Sequence, residues 1–228
     1  MNIFEHIKLL KTVKLLLLIP LIGLALNAPS VISFGIYAAM LIIVLFDFIM
    51  IDKGKNDYDS LYHSAYYDSL TDIPNRLSAD LFVSRYSSPD SLSVIIADLD
   101  GLKAANDTLG HYAGDILIKN FATLFSQAAL PDGFAARNGG DEFLAIFPND
   151  RDGFKARIYC EKLRRVVTAH NISAAYPISY SIGYACSSDT SYDTIQQIIS
   201  TADDRMYEEK KAKKKKTDNN PDISEGRQ

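Results

Sequence analysis

The sequence predicts an α+β fold in which helices pack on a central antiparallel sheet, preceded by apolar helices. Between residues 67 and 214, the segments follow the order strand, helix, two strands, helix, strand, helix, which is typical of a sandwich with an antiparallel sheet. Upstream, residues 15–51 contain a single charged residue, Asp47, which indicates membrane-spanning segments. The two observations together predict a membrane anchor followed by one globular domain.

Bulk properties exclude some classes of partner. The 228 residues suffice for one domain of ordinary size with additional segments. The formal net charge is −4, so no nucleic-acid partner is expected. Cys160 and Cys186 have no motif spacing, which favours a reducing compartment without a disulfide or a cysteine-bound metal.

The N-terminal region is predicted to form a short cytoplasmic segment, residues 1–14, and two transmembrane helices within residues 15–51. A turn signal at residues 27–30 separates two apolar runs, so a helical hairpin is favoured. The alternatives are a signal peptide followed by one span, and an interfacial or re-entrant first segment. The lysines nearest to the apolar runs lie on the two outer flanks: Lys8, Lys11, Lys14, Lys53 and Lys55. The positive-inside rule therefore places both ends in the cytoplasm, and we expect a multi-pass protein of the cell (inner) membrane.

The remaining elements follow from hydrophobic periodicity. Residues 52–66 form a polar connector in which Tyr58, Leu61 and Ala65 have helical spacing, and it is either a signalling helix that pairs with its twin or a plain linker. After it, the pattern predicts helices at 76–86, 112–129, 154–169 and 195–210, a helical turn from Leu102, strands at 92–97 and 178–185, and a hairpin around Gly139 and Gly140. Residues 215–228 are predicted to be a disordered polar tail.

Two pairs of carboxylates mark the candidate site. Gly139 and Gly140 precede Asp141 and Glu142, and glycine takes positive φ at low cost, so a hairpin turn here presents both carboxylates at its tip. The buried-strand pattern at residues 92–97 runs directly into Asp98-Leu99-Asp100. Carboxylates at exposed strand ends suit hard divalent cations such as Mg²⁺, and two such ions serve phosphoryl transfer.

At this point the sequence resembles a known family. GGDEF stands at residues 139–143, and further blocks occur in order around it: DSLTDIPNR at 68–76, DLDGLKAAND at 98–107, GHYAGD at 110–115, SIG at 181–183, and the segment 202–210. The chain resembles the GGDEF family of diguanylate cyclases over residues 67–214. The resemblance implies a fold similar to nucleotide cyclases and polymerase palms. It also implies condensation of two GTP into cyclic di-GMP and two pyrophosphates, at the interface of a homodimer.

The resemblance also implies roles for individual residues at the catalytic centre. Asp98, Asp141 and the Leu99 carbonyl match metal ligands for Mg²⁺ (or Mn²⁺), two ions per active site. Glu142 lies beside the metals, either as the base for the 3′-hydroxyl or as a water-mediated ligand, and Asp141 competes for the base assignment.

Other matched positions would bind the nucleotide. Asn106 and Asp115 match the guanine-reading positions, and His111 is a further candidate for a substrate contact or a plain loop histidine. The positions matched to the triphosphate are Gly101 and Leu102, through backbone amides, and Lys103, Lys210 and Lys214. Lys214 stands where arginine is usual, which keeps the charge and loses the bidentate contact. The lysine run at residues 210–216 has a second interpretation, contact with anionic lipid.

Three functions compete. An active membrane-tethered cyclase is favoured because the motif carboxylates are all present, and the alternatives are a non-enzymatic module that binds GTP or cyclic di-GMP, and a cyclase that also accepts ATP. Asp115 disfavours ATP, because one carboxylate accepts the paired N1–H and N2–H₂ donors of guanine. Many family members bind product at an Arg-x-x-Asp motif, but Leu130 and Gly133 occupy the corresponding positions here, so no strong product inhibition is expected through that site.

Overall fold

The computed structural model describes residues 29–86 and 88–218, and also residues 19, 22–23 and 26–27. The predicted segment 1–14, most of the first apolar run and residues 219–228 lie outside the described residues. The chain divides into two compact units, Met1–Tyr62 and His63–Gln228.

The first unit is described mainly by helix α1. This helix, Ser30–Tyr66, begins in the second apolar run and continues through the predicted polar connector. Its side chains are not buried, and among the described residues it is the one helix long and apolar enough to cross a membrane. The predicted partner helix of a hairpin falls largely outside the described residues.

The second unit contains the predicted α+β elements. In chain order they are α2 (Arg76–Val83), β1 (Leu92–Leu99), α3 (Leu102–Leu109), α4 (His111–Ala129), β2 (Phe134–Arg137), β3 (Glu142–Pro148), α5 (Phe154–Asn171), β4 (Tyr180–Cys186) and α6 (Ile195–Asp218). The predicted antiparallel sheet is confirmed. Its strand order is β2-β3-β1-β4, and every neighbouring pair is antiparallel.

Strand β1 lies in the middle of the sheet and is buried along its whole length. Burial on both faces explains why its sequence is an unbroken apolar run rather than an alternating one. Ile95, Ala97 and Leu99 face one core, which they share with α4 and α5. Val94 and Ile96 face a second core, which they share with α2 and α6. The sheet is therefore sandwiched between two helical layers.

Aromatic rings fill the first of these cores. Phe121 of α4 meets Phe143 of β3 edge-on, with ring centroids 4.9 Å apart. Phe125 and Tyr159 make a second edge-on pair at 5.4 Å, which joins α4 to α5. Edge-to-face pairs add to the stabilisation from buried area. This packing fixes β3, and with it the hairpin that precedes β3.

Three expectations need correction. Helix α6 continues to Asp218, so residues 215–218 are helical and are not part of a disordered tail. Ile158, for which the periodicity of the helix predicted at residues 154–169 indicates a core position, is 50 % exposed. The hairpin exists, but its glycines do not use positive φ: among the described residues, the glycines with positive φ are Gly101, Gly110 and Gly153. The loop between β2 and β3 has four residues, which permits a turn without the left-handed conformation that a two-residue turn demands.

Candidate active site

Asp98 lies inside β1 and is 6 % exposed. It was expected at an exposed strand end, and that expectation is wrong. The strand continues to Leu99, so Asp98 is flanked by Glu142 of β3 on one side and Ser181 of β4 on the other. A carboxylate in the middle of a sheet requires a partner, because an unpaired buried charge is costly.

The hairpin tip brings Asp141 to this position. The Leu99 amide donates to the Asp141 carbonyl at 3.0 Å, and the Asn138 amide donates to the Glu142 carbonyl at 2.8 Å. These backbone bonds place Asp141 beside the end of β1, close enough for its charge to act on Asp98. Asp141 is half-buried and Glu142 is exposed. The structure thus brings the predicted metal ligands Asp98, Leu99 and Asp141 together at the C-terminal end of β1.

Gly139 allows the Glu142 side chain to fold back over the turn. A Cβ on Gly139 would lie 3.0 Å from Glu142 Oε2, tighter than nearly all real Cβ contacts. At Gly140 a Cβ would meet nothing within 4 Å. A side chain at residue 139 would therefore crowd the exposed Glu142 carboxylate, which would have to shift slightly, whereas one at residue 140 would not.

Helix α6 supplies the partner of Asp98. The Lys210 ammonium contacts Asp98 Oδ1 at 2.5 Å. The approach of α6 depends on Gly183 in β4, where a Cβ would lie 2.2 Å from both the Ala202 carbonyl oxygen and the Met206 amide nitrogen. Since that space is filled by helix backbone, only glycine permits α6 to lie this close to β4.

Electrostatics at this pair reflect burial and crowding of charges. Burial raises the pKa of Asp98, and the charges of Asp141 and Asp100 add to this, while the hydrogen bond from Lys210 opposes it. Burial alone would lower the pKa of Lys210, but the hydrogen bond to Asp98 and the neighbouring carboxylates outweigh it and raise that pKa. The C-terminal end of β1 is therefore a region of negative charge in which Lys210 stays protonated.

Asp100 has different hydrogen-bond partners from Asp98, although the two residues are separated by only one position in the sequence. Its oxygens accept hydrogen bonds from Ser179 Oγ at 2.8 Å and Ser181 Oγ at 2.7 Å. Lys213 Nζ lies 3.4 Å from Asp100 Oδ2. Asp100 is thus fixed by β4 and Lys213, whereas Asp98 pairs with Lys210 and lies within the electrostatic reach of Asp141.

Of the two predicted guanine-reading residues, Asn106 packs against the helix that carries Asp115. A Cβ on Gly114 would lie 2.0 Å from Asn106 Oδ1, so the Asn106 side chain of α3 rests on the backbone of α4 immediately before Asp115. Asp115 is exposed in the first turns of α4, and His111, also exposed, begins that helix. Gly110 joins α3 to α4 with a φ of 85°, which favours glycine.

The predicted phosphate-binding residues are only partly assembled. Gly101 has a φ of 72° and precedes α3, and Leu102 packs against the first core. The first amides of α3 have no acceptor within the helix, as in every α-helix. Lys103 and Lys214 are exposed, and it is Lys213, not Lys214, that contacts the Asp100 carboxylate. Within the part of the chain that the structure describes, no group of three or more His, Cys, Asp or Glu is arranged to hold a metal.

A sequence model of one family, described as "Diguanylate cyclase, GGDEF domain", matches residues 65–216. The chain belongs to the GGDEF family. Its globular unit is a GGDEF domain, and the predicted nucleotide-cyclase fold is confirmed.

Curated relatives support the assignment over the same region. The diguanylate cyclase DgcS of Shewanella oneidensis is 30 % identical over 158 residues, which cover 67 % of this chain and 52 % of DgcS. The probable diguanylate cyclase DgcT of Escherichia coli is 32 % identical over 160 residues, which cover 67 % of this chain and 35 % of DgcT. The chain therefore spans about half or less of these relatives.

A solved structure has the same fold. The GGDEF domain of DgcB from Caulobacter crescentus, determined in complex with c-di-GMP, is 28 % identical, with a TM-score of 0.57. The similarity covers 65 % of this chain and 91 % of that domain.

Sequence reasoning missed one residue that shapes the GGDEF hairpin. Arg137, at the end of β2, donates from Nη1 to Asp68 Oδ1 at 2.7 Å and from Nε and Nη2 to the Gly139 and Gly140 carbonyls. Its position two residues before Gly139 was the available signal. Its partner Asp68 is 69 residues away in the chain, and no local pattern announces that pairing.

Proposed function

We propose that the chain is a diguanylate cyclase that condenses two GTP into cyclic di-GMP and releases two pyrophosphates at the cytoplasmic face of a membrane. The observation that carries the proposal is the meeting of Asp98, Asp141 and Lys210 at the end of β1, beside the exposed Glu142. Carboxylates with an ammonium at one edge of a sheet suit the binding of metal-complexed triphosphates. Membership of the GGDEF family supports the same reaction.

The reaction joins two nucleotides by two identical steps. In each step a 3′-hydroxyl attacks the α-phosphate of the other GTP, a new phosphodiester bond forms, and the bond from that phosphorus to pyrophosphate breaks. The hydroxyl proton passes to a base, for which Glu142 and Asp141 are the two candidates. Because each domain binds one GTP and provides half of the reaction, we infer a homodimer with two facing sites.

The residues present fit a divalent metal. Asp98, Asp141 and the Leu99 carbonyl offer the oxygen ligands that Mg²⁺ or Mn²⁺ prefers, and the surrounding negative charge favours a cation. We propose that these groups hold the metal, with two ions per site. When bound, the metal would neutralise charge on the phosphates and lower the pKa of the attacking hydroxyl.

Base selection is assigned to Asn106 and Asp115. Asp115 would accept both N1–H and N2–H₂ from guanine, whereas adenine has no matching pair of donors, so the carboxylate would be left partly unpaired. The packing of the Asn106 side chain on Gly114, the residue before Asp115, supports a shared role for the two residues. His111 at the start of α4 is a further candidate for contact with the substrate.

The phosphates are assigned to the start of α3 and to lysines of α6. The amides of Gly101 and Leu102 precede and open α3, and Lys103 follows them. Lys210 reaches the site directly through Asp98, while Lys214 would have to approach from the exposed side of α6. Positioning and neutralisation of charge, which these groups provide, account for most of the catalysis of phosphoryl transfer.

We also propose that the apolar part of α1 crosses the membrane as part of a multi-pass anchor, with the domain in the cytoplasm. The exposed apolar side chains of α1 and the flanking Lys53 and Lys55 support this placement. An anchor would confine the chains to two dimensions and raise the frequency of dimer encounter.

The test is incubation of the full 228-residue chain, purified in mild detergent, with GTP and MgCl₂, followed by separation of the nucleotides. We expect cyclic di-GMP and two pyrophosphates per product, and no cyclic product from ATP alone. Binding of GTP without any cyclic product would contradict the proposal and favour a regulatory nucleotide-binding module.

A further inference from the structure

Two lysines of α6 face two aspartates at the end of β1. Asp98 and Asp100 are two residues apart, and Lys210 and Lys213 are three residues apart, which makes them neighbours on one helix face. Lys210 Nζ lies 2.5 Å from Asp98 Oδ1, and Lys213 Nζ lies 3.4 Å from Asp100 Oδ2. These two ion pairs form two successive cross-links between α6 and the C-terminal end of β1.

The second cross-link is held from both sides. Lys213 also contacts Glu209 Oε1 at 2.9 Å and donates to the Tyr180 carbonyl. Asp100 accepts hydrogen bonds from Ser179 and Ser181 at the start of β4, and its own amide donates to the Ser179 carbonyl at 2.9 Å. Asp100 is therefore held in place, and its negative charge remains at the C-terminal end of β1.

This fixed charge bears on Lys210. Asp100 is one of the carboxylates that act electrostatically on the Lys210 ammonium, together with Asp98 and Asp141. Without Lys213, the Asp100 charge would draw Lys210 away from Asp98. It would also repel an incoming triphosphate, since partly buried charges at this separation are weakly screened.

We propose that Lys213 is a positioning residue for nucleotide binding, which neutralises Asp100 and thereby keeps Lys210 on Asp98 beside the candidate triphosphate site. This inference rests on the proposed function of that site. Lys213 need not touch the substrate, and its effect passes through Asp100 and Lys210. Its loss should therefore weaken triphosphate binding and leave the chemical step nearly unchanged.

The experiment measures equilibrium binding of a non-hydrolysable GTP analogue with Mg²⁺ to the full chain, together with KM and kcat for GTP. For Lys213→Met we expect about tenfold weaker analogue binding and a matching rise in KM, with kcat within about twofold. Lys213→Arg keeps the charge and should restore binding. The matched control is Lys211→Met, which removes the same charge from an exposed neighbour that pairs with Glu208.

A double variant separates charge from packing. Asp100→Asn removes the charge that Lys213 neutralises, so adding it to Lys213→Met should bring analogue binding back toward that of the unmodified chain. A purely structural loss would make the double variant as weak as Lys213→Met or weaker. That result would overturn the proposal, as would analogue binding by Lys213→Met within about twofold of the unmodified chain.

The outcomes also separate this proposal from the proposed function. If the unmodified chain binds the analogue but forms no cyclic di-GMP, the proposed function fails, and the series of binding constants still decides the part played by Lys213. If the unmodified chain does not bind the analogue, there is no triphosphate site for Lys213 to serve, and the proposal is overturned.

Discussion

Arg137 joins Asp68, in the turn that follows α1, to the hairpin tip that carries Asp141. Its guanidinium donates to Asp68 Oδ1 at 2.7 Å, to the Gly139 carbonyl at 3.1 Å and to the Gly140 carbonyl at 2.7 Å. A planar guanidinium can satisfy three acceptors at fixed angles, which an ammonium on a flexible stem cannot. The position of the tip thus depends on a residue outside the GGDEF motif.

We expect Arg137→Lys to reduce kcat at least about tenfold, because a misplaced catalytic group is costly even when it remains present. The loss in free energy of unfolding should be about 1–3 kcal/mol, since one or two backbone carbonyls lose their donor. The measurements are pyrophosphate release and urea denaturation. Arg165→Lys, at an exposed pair with Glu161, is the control and should change neither. Unchanged kcat in Arg137→Lys would show that the hairpin tip keeps its position without these hydrogen bonds.

Lowering the pH should weaken the ion pair between Arg137 and Asp68. Burial alone would raise the pKa of Asp68, but hydrogen bonds from Thr71 and Arg137 outweigh it and hold that pKa below its ordinary value. A carboxylate with a lowered folded pKa adds stability above its unfolded pKa, about 3.9, and loses it as pH falls through the lower folded value. The stability gap between the unmodified chain and Asp68→Asn should therefore be full at pH 7 and shrink below about pH 4. Urea denaturation across this range measures the gap, and a constant gap would contradict the assignment.

Gly183→Ala should separate α6 from the sheet. The added methyl group would meet the α6 backbone at 2.2 Å, and backbone cannot move aside as a side chain can. We expect a loss of about 1–3 kcal/mol in the free energy of unfolding and a larger loss of activity, because Lys210 moves with the helix. Gly54→Ala is the matched control: a Cβ there would meet nothing within 4 Å, so stability should stay level or rise slightly. Full activity in Gly183→Ala would mean that the lysines do not depend on this close approach.

Asp98 and Asp141 should differ in what their removal does to stability. Asp98→Ala leaves the partly buried Lys210 ammonium without its hydrogen-bonded partner and should lower the free energy of unfolding by about 1–3 kcal/mol. Asp141→Ala removes a half-buried group on a loop and should cost much less. Both should abolish turnover. In Asp98→Ala, the further change Lys210→Met should recover stability and not activity. Equal stability of Asp98→Ala and the unmodified chain would contradict this account.

Sequence reasoning predicted the sheet well because its signals are local. The apolar run of β1 follows from burial on both faces, and the helical spacing of aromatic residues in α4 follows from burial of one face against the first core. The exposure of Asp98 was predicted wrongly because its partner Lys210 is 112 residues away, and without that partner a strand-internal carboxylate looks unfavourable. The roles of Arg137 and Lys213 escaped prediction for the same reason. Ion pairs between distant segments leave no periodic trace in the sequence.

The glycines show a related limit. A sequence gives the same letter to Gly101, which has positive φ, and to Gly183, which is needed for close packing. The hairpin glycines are predicted to be conformational, but Gly139 and Gly140 do not have positive φ, and a side chain at residue 139 would crowd Glu142. Only the contacts around each position distinguish these reasons.

We expect cyclic di-GMP to inhibit this chain only weakly through the positions that correspond to the Arg-x-x-Asp motif. Leu130, at the position of the arginine, is 62 % exposed and offers neither charge nor donor. Gly133, at the position of the aspartate, lies against the Phe147 ring, where a Cβ would be 2.4 Å from the nearest ring carbon. An aspartate there would have to displace a core aromatic, so the site is blocked by packing as well as by the missing arginine.

The measurement that checks this prediction is the initial rate of pyrophosphate release against added cyclic di-GMP at fixed GTP. We expect little change until product competes directly for the GTP site, in which case excess GTP restores the rate. Inhibition by low product concentrations that excess GTP does not relieve would show that this chain binds its product at another regulatory surface.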